Sequence, residues 1–224
     1  MGLYSLLGLA MAPPLALAFY VFYRDKHEKE PFRLLFVSFL LGALSAIPVL
    51  LTNWATGGFA SAERTDPTSI VLNAFIYAAL IEEFWKFAVL MRYAYPKREF
   101  DEPYDGIVYA VMVSMGFATL ENVLYVLQSG AEVGLARAVT AIPAHGLFGA
   151  LMGYFVGLAK FRGNTTALKL TGLAVAWLFH GFYDWFLMAQ YIPGIWVGAI
   201  VSLVVGVWLS LRAMRLHVRI SPHK

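Results

Sequence analysis

Apolar residues in this chain gather in runs of about 20, the length of helix that crosses a hydrocarbon layer. Seven such runs predict helices at 3–23, 34–52, 69–91, 106–127, 138–159, 170–190 and 195–211. The intervening polar segments, 24–33, 53–68, 92–105, 128–137, 160–169 and a short turn at 191–194, read as water-facing loops. No repeat of fixed period, low-complexity tract or long linker divides the chain. The predicted fold is therefore all-α: a polytopic integral membrane bundle of about seven transmembrane helices, forming one domain over residues 1–224.

Composition supports this. Of 224 residues, 60% are hydrophobic and 14% charged, against about 25% charged in a soluble domain. The same figures exclude disorder, which needs low hydrophobicity and high charge. Lys and Arg orient the bundle. From 24–33 onward the loops and C-terminal tail hold 4, 1, 3, 1, 3, 0 and 4 of them. Basic residues accumulate on the cytoplasmic side, so the N-terminus is expected outside and the C-terminus inside a cell membrane. Residues 1–23 carry no basic residue ahead of their apolar core, so they read as a retained first helix rather than a signal peptide. The net charge of +3 comes from loop anchors and implies a lipid bilayer, not nucleic acid, as the partner.

There is no cysteine. Disulfides, thiolate ligands and a cysteine nucleophile are excluded together. Hydrolytic chemistry would need a hydroxyl, a carboxylate or an activated water.

Seven ionisable residues fall inside the predicted spans: Glu82, Glu83, Lys86, Glu121, His145, His180 and Asp184. A central charge costs about 2.5–3.5 kcal/mol even on the mild insertion scale, which makes each a functional candidate. Glu82 and Glu83 both reach Lys86, at i+4 and i+3. One acid would neutralise the lysine, so the second is unexplained by pairing alone. His180 and Asp184 share a face one turn apart, as a local hydrogen bond, a metal-ligand pair or an oriented histidine would need. Glu121 and Asn122 suit polar contacts between helices. His145 opens a face with Gly149, Gly153 and Gly157, a spacing that lets helices approach closely, and Pro143 is placed to kink its helix. Depths calculated from the helical rise put Glu121, His145, His180 and Asp184 roughly 9–15 Å below the outer surface, with Glu82 and Glu83 near mid-membrane. His27, His217 and His223 fall in basic cytoplasmic segments and are expected in solvent.

These residues sit in motifs that resemble the PrsW family of intramembrane proteases: Glu82-Glu83-x-x-Lys86, residues 100–109 (FDEPYDGIVY), residues 116–122 (GFATLEN), His145-x-x-x-Gly149 and His180-Gly181-x-x-Asp184. Ala12-Pro13, Tyr23-x-Asp25 and Glu30-Pro31 match as well, so the resemblance spans nearly the whole chain in order. It implies an endopeptidase that makes the first, extracytoplasmic cut in a single-span membrane protein, an anti-sigma factor whose loss frees a stress sigma factor. Related CAAX prenyl proteases and bacteriocin-immunity proteins carry a Phe-x-x-x-His motif where this chain has Phe117 followed by Glu121. Their glutamate–histidine activation of water therefore does not transfer directly, and His145 is the candidate to fill the gap.

By that resemblance Glu82 is the favoured base, with Glu83 as its partner or a proton store held near Lys86. His145, or a metal it binds, would position the water. His180 and Asp184 would polarise the scissile carbonyl, and Glu121 and Asn122 would complete the polar wall. A Zn2+ site could form from His145, His180 and one carboxylate, Glu121 in the first instance and otherwise Glu83 or Asp184. A divalent ion would offset the excess of acid over Lys86. The rival class is a proton-coupled transporter or silent scaffold, since buried acids and histidines also serve proton relays. Such a protein should show inverted repeats or paired broken helices, and none stands out.

Overall fold

Helices alone make up the regular structure of the described residues, in a computed structural model that describes 2–25, 29–56, 66–162 and 164–220. His27, His223 and most of the 53–68 loop lie outside them. In order the helices are α1 (Leu3–Arg24), α2 (Phe32–Leu44), α3 (Ala46–Thr56), α4 (Pro67–Leu72), α5 (Ile81–Val89), α6 (Pro103–Ser129), α7 (Ala131–Val139), α8 (Ala141–Phe161), α9 (Thr165–Met188) and α10 (Val197–Ile220). Wider π-helical stretches at Asn73–Leu80 and Leu90–Ala94 join α4 to α5 and extend it, so 67–94 is one continuous rod.

Pairing α2 with α3 and α7 with α8 gives seven rods in the predicted order. Five of them, Leu3–Arg24, Phe32–Thr56, Pro103–Ser129, Ala131–Phe161 and Val197–Ile220, are long and apolar enough to cross a membrane. The other two, 67–94 and α9, carry Glu82, Glu83, Lys86, His180 and Asp184. The chain is a multi-pass membrane protein. Its outward surface fits that setting: Phe19, Leu51, Trp54, Val204 and Trp208 are more than half exposed.

Helix α6 is the axis. Every residue from Pro103 to Thr119 on it is buried, and α1, α2 and α8 pack around it. Its start is fixed by a capping box, in which the Glu102 side chain accepts from the Asp105 backbone N–H. In return, the amides of Asp101 and Glu102 donate to Asp105 Oδ2 at 2.8 and 2.7 Å. The Tyr109 hydroxyl donates to Glu30 Oε2, tying the first loop to this helix. Against α8 the glycines do what their spacing predicts. A Cβ on Gly153 would lie 2.2 Å from the Gly106 carbonyl oxygen, and one on Gly157 would lie 2.1 Å from that of Pro103. Only glycine allows two backbones this close.

Three expectations need correction. Residues 128–137 are not simply a loop: Gly130, at φ 83°, turns the chain sharply into α7. Glu132 and Arg137 gave this segment a polar appearance, but they lie on a helix. Pro143 does not kink its helix. The break falls at Thr140, and Pro143 sits in the first turn of α8, where a missing N–H costs nothing. His217 is not in solvent. Helix α10 runs on past 211, and His217 is fully buried, its ring stacked on Tyr154 at 4.4 Å.

Candidate active site

The π-helical stretch sets the geometry of the carboxylate pair. Its wider turn changes which residues face inward ahead of Glu82, and such turns favour functional sites. The Phe75 carbonyl, in that stretch, accepts a hydrogen bond from Trp177 Nε1 of α9 at 2.6 Å. Helix α9 comes close because residue 181 is glycine: a Cβ there would lie 2.3 Å from the Phe75 ring. Close packing beside Gly181 delivers His180 to Glu83.

All seven predicted ionisable residues join through one continuous set of contacts. Lys86 Nζ donates to Glu83 Oε1 at 2.8 Å and Glu82 Oε2 at 3.3 Å, and lies 4.1 Å from the centre of the Phe117 ring. It is also 3.0 Å from His145 Nδ1. An ammonium can only donate, so Nδ1 accepts and the proton of His145 sits on Nε2, which donates to Glu121 Oε2 at 3.0 Å. On the other side, His180 Nδ1 meets Glu83 Oε1 at 2.9 Å and Nε2 meets Asp184 Oδ2 at 3.3 Å. The Phe148 ring stacks on His180 at 4.6 Å. Two histidines are thus held at both ring nitrogens, which fixes their orientation.

The two glutamates differ. Glu83 is fully buried and walled in by Lys86 and His180, with its second oxygen Oε2 lacking a partner among the described residues. Glu82 lines two cavities. One, about 250 Å³, is bounded also by Glu121, Arg137, His145, His180 and Asp184. The other, about 210 Å³, lies against Val49, Leu50 and Phe117 and also reaches Glu121.

Arg137 was not foreseen. From α7 its guanidinium donates to Glu121 Oε2 and to Asn122 Oδ1 at 2.9 Å, and it lies 4.0 Å from the Tyr125 ring. Asn122 Nδ2 then reaches the Ala10 carbonyl of α1 at 2.9 Å. A lone arginine in a poorly charged loop was the available signal, and its count on the external side obscured it.

Ligand atoms of Glu82, Glu83, His145 and His180 all lie within 4.8 Å of one another. Two imidazoles and two carboxylates suit Zn2+, and the orphaned Glu83 Oε2 is an oxygen such an ion would satisfy. The Lys86 ammonium stands among the same donors, so ion and ammonium would compete for them. Glu121 is not in this group. It sits on the far side of His145, engaged by Arg137.

Residues 30–211 match a family described as PrsW family intramembrane metalloprotease. The chain belongs to the PrsW family. Among curated relatives named Protease PrsW, that of Geobacillus kaustophilus is 37% identical over 214 residues, covering 95% of this chain and 92% of its own. The Oceanobacillus iheyensis protein is 40% identical over 184 residues, 82% and 83% of the two chains. That of Bacillus subtilis is 34% identical over 208 residues, 92% of each. No solved structure matches. The PrsW assignment makes this protein an intramembrane peptide hydrolase.

Proposed function

We propose that this PrsW protein cuts a single-span membrane protein, of the anti-sigma-factor kind, near the extracytoplasmic end of its span, using water activated by Glu82. The observation that carries the reading is the asymmetry of the acid pair: Glu82 lines the cavities and Glu83 does not. A general base must reach its water. Glu82 does so beside His145, whose orientation is set by Lys86 and Glu121, and beside His180, held between Glu83 and Asp184. Glu82 takes the proton of the attacking water. His180, backed by buried Glu83 at Nδ1, turns its Nε2–H from Asp184 in the cavity wall to the carbonyl oxygen as charge develops there, and offers that proton for the departing amine. His145 positions the water. Arg137, itself steadied by Asn122, holds Glu121, and so His145, in place.

Glu83, His145 and His180 are the residues that would hold Zn2+, leaving Glu82, the fourth donor of that group, beside the water as base. Bound there, the ion would acidify water and polarise a carbonyl.

Purified protein should cleave a single-span substrate over many turnovers in detergent, with the new terminus placed by mass spectrometry in the outer part of the span. Stable binding without cleavage would favour the scaffold reading. A cut on the cytoplasmic side would refute the assigned sidedness.

A further inference from the structure

A cavity of about 160 Å³ lies at the opposite end of α6 from the acid pair, lined by Arg24, Tyr104, Met214, Arg215, Val218 and Arg219. Tyr104 and Glu121 are 17 positions apart on one helix, so this cavity is about 25 Å from the catalytic cluster along the axis.

Three guanidinium-bearing side chains and no carboxylate line it. Arg215 and Arg219 are one turn apart on the same face of α10, where like charges repel, and Arg24 faces them from the last turn of α1. Among the described residues, the arginine found in an ion pair is Arg137, far away in the site. Arg215 Nε donates only to the Leu211 carbonyl of its own helix. A helix C-terminus favours one basic residue near its last turn, which does not account for three converging on one cavity. Accumulation of basic residues on the cytoplasmic side explains their presence, and a bound anion would explain their convergence on one cavity.

The rest of the lining says which anion. Met214, Val218 and the buried Tyr104 ring give the cavity an apolar floor. The neighbours of the three arginines, Tyr23, Leu216 and Ile220, are exposed apolar residues. The cavity therefore sits where a lipid-facing surface meets the helix ends, at headgroup depth. We infer that Arg24, Arg215 and Arg219 bind the phosphodiester headgroup of an anionic phospholipid, with its glycerol and upper acyl segment against Met214 and Val218. Arginine pairs in fork geometry with phosphate, and basic pockets between transmembrane helices select anionic lipids. A free phosphate would satisfy the arginines and leave the apolar floor uncovered.

The test uses the purified full chain in phosphatidylcholine nanodiscs with and without phosphatidylglycerol, and counts lipid retained after washing in zwitterionic detergent. Wild type should retain phosphatidylglycerol and melt higher in its presence. The Arg215→Gln/Arg219→Gln double variant should bind it roughly thirtyfold more weakly, two surface cations' worth, and lose the melting shift. Both residues are exposed, and an unchanged melt in phosphatidylcholine alone shows that the variant folds. Arg212→Gln is the control, since Arg212 lies over Trp208 and outside the cavity. Retention unchanged in the double variant, or equally reduced in Arg212→Gln, overturns the proposal. Displacement of the lipid by millimolar inorganic phosphate would reassign the cavity to a free anion.

Discussion

Gly153→Ala is expected to damage catalysis from a distance, while Gly146→Ala, next to His145, is expected to be tolerated. A Cβ on Gly153 would lie 2.2 Å from the Gly106 carbonyl oxygen and 2.7 Å from the Ile107 Cα. Carbon meets a carbonyl oxygen comfortably at about 3.3 Å, so α6 and α8 must part by about 1 Å. Both contacts are backbone, and neither can swing aside. The hydrogen bond from His145 Nε2 to Glu121 spans those two helices at 3.0 Å, and an added 1 Å or so breaks it. Overpacking of this kind costs roughly 1–3 kcal/mol, and a 1 Å misplacement of catalytic groups costs about 100-fold in rate. At Gly146, by contrast, the new Cβ meets only Leu17 Cδ1 and Met115 Cε, each at 3.6 Å. The assay is turnover of a single-span substrate by purified protein, alongside thermal melts of both variants. Wild-type activity in Gly153→Ala, or equal damage from Gly146→Ala, would refute the argument that backbone contact at this crossing aligns the site.

Elemental analysis of purified enzyme should find zinc, and His180→Ala should lose both metal and activity; full activity in metal-free protein would remove the ion from the account. Arg137→Gln should lower kcat with little change in KM, because Arg137 acts by holding Glu121, and Arg137→Lys should restore only part of it; unchanged kcat would make the contact incidental. Burial pushes the Glu30 carboxyl up from 4.5 to about 7. The folded protein then holds the extra proton across that window, so stability falls as pH rises from 4.5 to about 7. Glu30→Gln should flatten this dependence in thermal melts, and an unaltered slope would assign it elsewhere. A reporter after Lys224 should read cytoplasmic, and labelling of residues 92–105 by an impermeant reagent from outside would overturn the orientation.

Much of the fold was legible because a bilayer demands long apolar runs, and charges punctuate them. The helix order and every member of the ionic cluster but Arg137 followed from that one rule, since Glu82, Glu83, Lys86, His145 and His180 are conspicuous in an apolar setting. What the rule misses is structure made by polar residues or by backbone. Helix α7 looked like a loop because Arg137 and Glu132 lowered its hydropathy, and the partner that justifies Arg137 is Glu121, 16 positions away. The π-helical stretch at Asn73–Leu80 has no compositional mark, yet it sets the approach of the acid pair to α9. His217 looked solvated because basic residues surround it in sequence. On the helix they point elsewhere, and Gly157 leaves the room its ring fills. The separate environments of Glu82 and Glu83 were likewise invisible in two identical, adjacent letters.

Single-turnover cleavage by purified Glu82→Gln is the most direct measurement of the central claim. The substitution keeps the shape and leaves the Glu83–Lys86–His180 contacts intact, so the protein should fold, bind substrate and melt as wild type does. Its cleavage rate should fall by about 10²–10⁴-fold, the usual contribution of a general base. Cleavage at the wild-type rate in folded Glu82→Gln would contradict the account, and show that another group activates the water.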